Sequence, residues 1–178
     1  MSFKIVLYGQ PVLREKAEPV TTFDPALAQL ADQMLEAMYE AKGIGLAAQQ
    51  VGLTQSICVL DVPPESDLDE DDQRLNPHIE MPIALVNPEV LDPGPETWTY
   101  EEGCLSFPDI NGKVIRPWKI RVRYQDLQGN PHEIEAEGLV GRAIQHEVDH
   151  LNGVLFIDRM SNAKRLALAG KLKRLRGR

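Results

Sequence analysis

Positions 145–153 read QHEVDHLNG, and the reading of this stretch decides how the rest of the chain is understood. His146 and His150 are four residues apart. On an α-helix that spacing puts both imidazoles on one face, close enough to grip a single divalent ion. Glu147, one residue round the helix from His146, reaches the edge of that face. There a carboxylate can deprotonate a water held by the ion without being a ligand itself. Leu139, Ile144 and Val148 give the helix an apolar side, and Asn152-Gly153 supplies a C-terminal stop. HExxH is short enough to occur by chance, so its meaning depends on what else the chain offers.

The third ligand settles more than the first two. Beyond His150 the chain contains no His, Cys or Glu and a single Asp, Asp158. Phe156 stands where the extended HExxHxxGxxH motif carries its third histidine, and a phenyl ring cannot ligate. The missing donor must come from upstream, where Cys58, Cys104, His78, His132 and several carboxylates are available. Cys58 lies in the apolar run SICVLDV at 56–62, where a thiol is small core filling. Cys104 lies in EEGCLSFP at 101–108, behind a glycine and ahead of Pro108, a context that brings backbone and thiolate close to a bound group. Cys104 is therefore the favoured ligand.

A third stretch, GIGLAAQQVG at 43–52, follows a helical pattern and precedes a strand. Gly45, Ala47 and Ala48 leave room for another backbone, and Gln50 offers an amide donor. Taken alone it reads equally as a glycine cap followed by tight helix-strand packing. GIGLAAQQ, EGCLS and HEVDH, in this order and spacing, resemble the three signature motifs of the peptide deformylases. The likeness extends from LYGQPVLREKAEPV at 7–20 to VLFIDRMS at 154–161. Those enzymes remove the formyl group from the N-terminal methionine of new bacterial polypeptides and release formate.

The resemblance implies an α+β fold, with antiparallel β-sheets packed around a central HExxH helix and with one N-terminal and one C-terminal helix. It implies one divalent metal ion per chain, Fe(II) in the native state, with Zn, Ni or Co possible in purified protein. Cys104, His146 and His150 would hold the ion and Glu147 would handle the proton. The Gln50 amide and the Leu105 backbone N–H would face the formyl oxygen, and Ile44 and Gly45 would hydrogen-bond the peptide backbone in strand fashion. The partners implied are N-formyl-methionyl nascent peptides and the ribosome near its exit tunnel. Neither a membrane nor DNA is expected.

Composition bounds the answer from the other side. A chain of 178 residues is most simply one domain, and 43% hydrophobic with 26% charged residues is ordinary for a globular protein. Two cysteines in unlike surroundings do not form a disulfide framework, and MSFKIVLYGQP at the N-terminus is neither a signal peptide nor a span, so the cytoplasm is expected. The net charge of −8 is unevenly spread: residues 161–178 hold seven basic residues and no acid, +7, which leaves −15 on the other 160 positions. Residues 1–160 thus read as the catalytic domain and 161–178 as a basic helical tail, in which Ser161 caps and Leu168, Leu172 and Leu175 form an apolar stripe.

Asp24-Pro25 begins a helix whose apolar residues recur to Ala41, with Gly43 as its stop. Residues 56–62 read as a buried strand and 83–91 as another, placed at an edge because Pro88 interrupts it. The intervening run, with six acids from Glu65 to Asp72, reads as a long, solvated, partly mobile loop. Residues 97–105 alternate as a strand; if Cys104 faces the ion, Tyr100 and Glu102 share its face and wall the site. Residues 119–125 and 132–136 pair as a hairpin, with His132 an exposed turn histidine. On the metal helix Leu139 falls between the two histidines, making a floor with Ala143 that suits an unbranched apolar side chain. Arg142 is less expected on that face and is placed at the rim.

Overall fold

The computed structural model describes residues 2–178. Asp24 opens the first helix, α1 (Pro25–Glu40): its carboxylate accepts from the Leu27 N–H at 3.0 Å, and Pro25 sits where a missing N–H costs nothing. Leu27, Leu30, Ala31, Met34 and Met38 are buried as their period requires. The stop is built differently from the expectation. Lys42, with φ 59°, is the left-handed residue, and the Gly43 N–H returns to the Met38 carbonyl at 2.9 Å. Gly43 is needed for space: a Cβ there would stand 2.6 Å from Leu105 Cδ1.

Strands β1 (Gly45–Ala47), β2 (Ile57–Leu60), β3 (Ile83–Pro93), β4 (Thr97–Gly103), β5 (Asn111–Pro117), β6 (Lys119–Gln125) and β7 (Pro131–Glu137) follow. Five of them form an antiparallel sheet in the order β1-β2-β3-β6-β7, while β4 and β5 form a separate two-stranded sheet. Helix α2 (Gly138–Leu151) leaves β7 directly, and a 3-10 turn (Phe156–Arg159) leads to α3 (Asn162–Ala167) and α4 (Ala169–Arg176). Among the described residues no helix is long and apolar enough to cross a membrane.

The period of two along β2 divides the core. Ile57 and Val59 pack with the α1 stripe, while Cys58 and Leu60 pack with Val140, Ile144 and Val148 of α2. The two helices therefore lie on opposite faces of the larger sheet. A third cluster joins Leu13, Phe107, Phe156 and Met160 to Leu168, Leu172 and Leu175, so the apolar stripe of the tail is buried against the body. Ser161 caps α3 by accepting from the Lys164 N–H at 3.2 Å.

Three expectations change. β3 is the middle strand of the larger sheet, not an edge. The β2 ladder covers Ile83 to Val86 and ends before Pro88, and the β6 ladder skips a residue between Val86 and Glu89, so the proline falls in a bulge. Asn87, with φ 50°, stabilises that bulge by exchanging hydrogen bonds with the Val20 backbone at 2.8 and 2.9 Å. Strand β5 was not expected at all. The acidic loop is pinned: Asp67 is fully buried and accepts from Arg74, from the Asn76 N–H and from the Asn76 amide, which also donates to the Glu137 carbonyl at 2.9 Å. The remaining acids of that run are exposed.

Candidate active site

Every residue of α2 except Leu139 is buried, although the helix carries Arg142, Gln145, His146, Glu147, Asp149 and His150. Burying so many polar groups is costly unless each is used. The ligand atoms of Cys104, His146 and His150 all lie within 4.8 Å of one another, and Cys104 Sγ is 3.3 Å from His150 Nε2. Cys104 follows directly from β4, where the Phe107 N–H turns back to the Cys104 carbonyl at 2.9 Å and tightens the bend. Glu102 bonds His146 Nδ1 at 2.9 Å, which leaves the other ring nitrogen for an ion. Burial holds the His150 imidazole well below its ordinary value, so it stays neutral. One thiol and two imidazoles this close are a donor set that fits a transition-metal ion. Cys58, the rejected alternative, is fully buried on β2 in the core between the larger sheet and α2.

Glu147 is buried beside the pair, and its Oε2 has no hydrogen-bond partner among the described residues. Burial pushes this carboxyl up to about 7, against the pull of the nearby His146 and Arg116. Space for it is made by β1, where a Cβ on Gly45 would lie 2.6 Å from Glu147 Oε1. Gln50, on the 3-10 turn Ala48–Val51, accepts from the Ala47 N–H at 3.0 Å. Its amide nitrogen is thereby directed to Cys104 Sγ at 3.4 Å and Ser106 Oγ at 3.2 Å.

Glu102 keeps its place in the wall but does more there than expected, and Arg142 sits elsewhere than expected. Glu102 is not simply a wall: it is gripped by Arg116 through two bonds of 2.6 and 3.0 Å and by Arg142 Nη1. Burial alone would raise Glu102, but the bonds from His146 and Arg116 outweigh it and hold the carboxyl well below the usual range. Arg142 is not a rim residue. It is 2% exposed, donates to the Trp98 carbonyl at 2.8 Å and the Val114 carbonyl at 3.1 Å, and lies 4.5 Å from the Trp98 ring centroid.

Arg116 also donates to Asp149 at 2.8 Å, and Asp149 accepts two bonds from Arg159. Sequence reasoning missed Arg116 and Asp149. The available signal was weak: Arg116 shares the inward phase of Val114 on a strand that was not recognised, and Asp149 lies inside HEVDH itself.

A cleft of about 640 Å³ opens over these groups. Ile44, Gly45 and Gln50 line one wall, and Tyr100, Glu102, Cys104 and Leu105 the other. Leu139, Arg142, Ala143, His146 and Glu147 form the floor. His150 lies beneath, 1% exposed. Tyr100 stands at the mouth, 44% exposed. The Ile44 carbonyl accepts from the Asp61 N–H at 2.9 Å, which anchors the edge strand along the cleft.

Comparison with known proteins agrees with this arrangement. Residues 2–166 match the family described as Polypeptide deformylase. The peptide deformylase of Opitutus terrae is 52% identical over 180 residues, spanning 98% of this chain and 93% of its own length. That of Thermotoga maritima is 46% identical over 170 residues, spanning 96% and 94%. Among solved structures, the Thermotoga maritima peptide deformylase superposes with a TM-score of 0.80 at 45% identity, covering 90% of this chain and 99% of that one. The Plasmodium falciparum peptide deformylase, solved in complex with an inhibitor, gives 0.83 at 37% identity, with coverage of 97% and 98%. On these likenesses, and on a Cys-His-His cluster beside a buried glutamate whose Oε2 has no partner among the described residues, the chain belongs to the polypeptide deformylase family.

Proposed function

We propose that this chain is a metal-dependent amide hydrolase that removes the N-formyl group from the N-terminal formyl-methionine of newly made polypeptides, in the cytoplasm, and releases formate. The observation that carries the reading is the clustering of Cys104, His146 and His150 at the base of a cleft that the Glu147 carboxylate also lines. Cys104, His146 and His150 would hold the ion, with Fe(II) the native metal and Zn, Ni or Co able to take its place in purified protein. When bound, a divalent ion supplies Lewis acidity, acidifying a water and drawing charge from a carbonyl oxygen.

The chain's own residues do the rest. Glu147 takes the proton of the attacking water and returns a proton to the departing amine. The Gln50 amide and the Leu105 backbone N–H donate to the formyl oxygen as it gains charge, each worth roughly 3 kcal/mol. Leu139 and Ala143 receive the methionine side chain, and Ile44 and Gly45 pair with the peptide backbone as an added strand. Formate release from a formyl-Met peptide, after anaerobic reconstitution with Fe(II) or Ni(II), tests the proposal. Cleavage of unformylated peptides without formate release would instead mark a general metallopeptidase.

The basic tail extends the reading to a partner, the ribosome near its exit tunnel. All seven of its basic side chains are exposed, and among the described residues none of them forms an ion pair. Two of them are tied down by hydrogen bonds, Arg176 donating to the Tyr8 hydroxyl at 2.6 Å and Arg165 to Asn162 Oδ1 at 2.9 Å. A cationic face on an otherwise acidic chain is drawn to a phosphate-rich surface, and that attraction weakens with salt.

A further inference from the structure

The donors of the metal cluster come from two units with different supports. Cys104 sits at the end of β4, which pairs with β5 in its own two-stranded sheet, whereas both histidines belong to α2, packed on the larger sheet. Among the described residues no backbone ladder joins β4 or β5 to that sheet. Arg142 of α2 reaches the Trp98 and Val114 carbonyls of the ribbon, and nearer the histidines the units are joined by a buried chain of charges. Glu102 on β4 holds His146 Nδ1 at 2.9 Å, and Arg116 on β5 holds both oxygens of Glu102. Asp149, one turn along α2 from His146, holds Arg116 at 2.8 Å, and Arg159 closes the chain with bonds of 2.8 and 3.0 Å to Asp149.

We propose that Arg116 and Asp149 are positioning residues: they clamp the Cys104-bearing ribbon onto the histidine-bearing helix and fix the orientation of His146 through Glu102. Neither touches the cluster directly. Arg116 suits the task because its planar fork serves Glu102 through Nε and Nη2 and Asp149 through Nη1, two carboxylates from different units at once. Asp149 shares a helix with the histidines and answers the guanidinium of β5, so together with Arg142, which reaches Glu102 and the Trp98 and Val114 carbonyls, it sets the spacing between the units. The aspartate of HEVDH is in this reading as much a part of the site's construction as the two histidines. Asp149 and Arg116 also face a second cavity, on the far side of α2 from the substrate cleft, lined by Glu89, Ile115, Gln145 and Arg159. The clamp can therefore be loosened without placing any new group in the substrate cleft.

The inference rests on Cys104, His146 and His150 being the metal ligands, and the test separates the two readings. The parent, Asp149→Asn and Arg159→Gln are each loaded with Co(II), and their visible absorption, the rate of metal loss to a chelator, and kcat and KM are measured. Arg159→Gln alters a side chain 48% exposed at the end of the chain of charges, so it folds even where Asp149→Asn does not. Displaced thiolate and d–d bands, about tenfold faster metal loss and a fall in kcat with KM near the parent value are expected for Asp149→Asn, and the same changes to a smaller degree for Arg159→Gln. Variants whose bands and release rates superimpose on the parent's would overturn the proposal, even if they melt earlier, because a merely structural role moves only stability. A parent that takes up no cobalt would overturn the ligand assignment and the clamp together.

Discussion

Gly45 of β1 and Glu147 of α2 are in mutual contact: a Cβ on residue 45 would fall 2.6 Å from Glu147 Oε1 and 3.1 Å from its carboxyl carbon. A buried carboxylate with little room to move cannot yield to that methyl group without leaving its place. Gly45→Ala is expected to retain metal and fold while lowering kcat by about 10²-fold, the scale of a lost general base. Parallel measurement of metal content, melting temperature and kcat checks it; an unchanged kcat would show that Glu147 tolerates displacement.

Glu147→Gln removes the proposed proton acceptor and keeps the shape. Metal content is expected to match the parent, with kcat lower by about 10²-fold or more. Loss of metal in this variant would make Glu147 a ligand and not the base.

The two cysteines are expected to part company. Cys104→Ala should lose most of the bound metal, since its sulfur is one of three clustered donors. Cys58→Ala should keep metal and activity and lose about 1 kcal/mol of stability, because its fully buried sulfur only fills core space. Equal metal content in the two variants would refute the assignment.

The tail has to be tested by charge and not by deletion. Leu168, Leu172 and Leu175 are buried in the third cluster, so removing residues from 163 onward is expected to cost on the order of 5 kcal/mol in lost apolar burial. Reversing Lys171, Lys173 and Arg174 to glutamate leaves that stripe in place. Formyl-peptide hydrolysis should persist in this variant, while co-sedimentation with ribosomes falls and the parent's binding drops with added salt. Undiminished co-sedimentation would remove the tail from the function.

At the β6–β7 turn Asp126 accepts from His132 Nε2 at 2.8 Å and from the Gln128 and Asn130 N–H groups at 2.9 Å. The His132 bond is the largest of the influences that lower its pKa to about 2 from an ordinary 3.8. A depressed folded value means that the stabilisation is full above the unfolded value and is lost as pH falls through about 2. Carboxyl titration by NMR should show that midpoint, and His132→Ala should move it upward; no movement would exclude the pair as the cause.

Much of this fold was legible in local pattern. Asp24-Pro25 and the apolar period to Met38 placed α1 because a cap and a stripe are properties of neighbouring residues. The β6–β7 hairpin followed from the alternation of residues 119–125 and 132–136. β3 was misplaced because Pro88 forbids a ladder bond only where a neighbour needs one, and the bulge at Asn87 removes that need. The stop of α1 was misread because a glycine serves either conformation or space, and only the position of Leu105 tells which.

The candidate site divides in the same way. The helical spacing of His146, Glu147 and His150 is a local geometry, so the sequence by itself determined that two imidazoles and a carboxylate share one face. It also determined that a further donor had to come from upstream, since no such residue other than Asp158 follows His150. That Cys104 arrives beside them, that Arg142 lies buried under Trp98, and that Glu102 is shared among His146, Arg116 and Arg142 were decided only by tertiary structure. The reason is physical: a buried charge is tolerated only where partners from distant segments meet it, and the chain's local pattern carries no record of which segments those are.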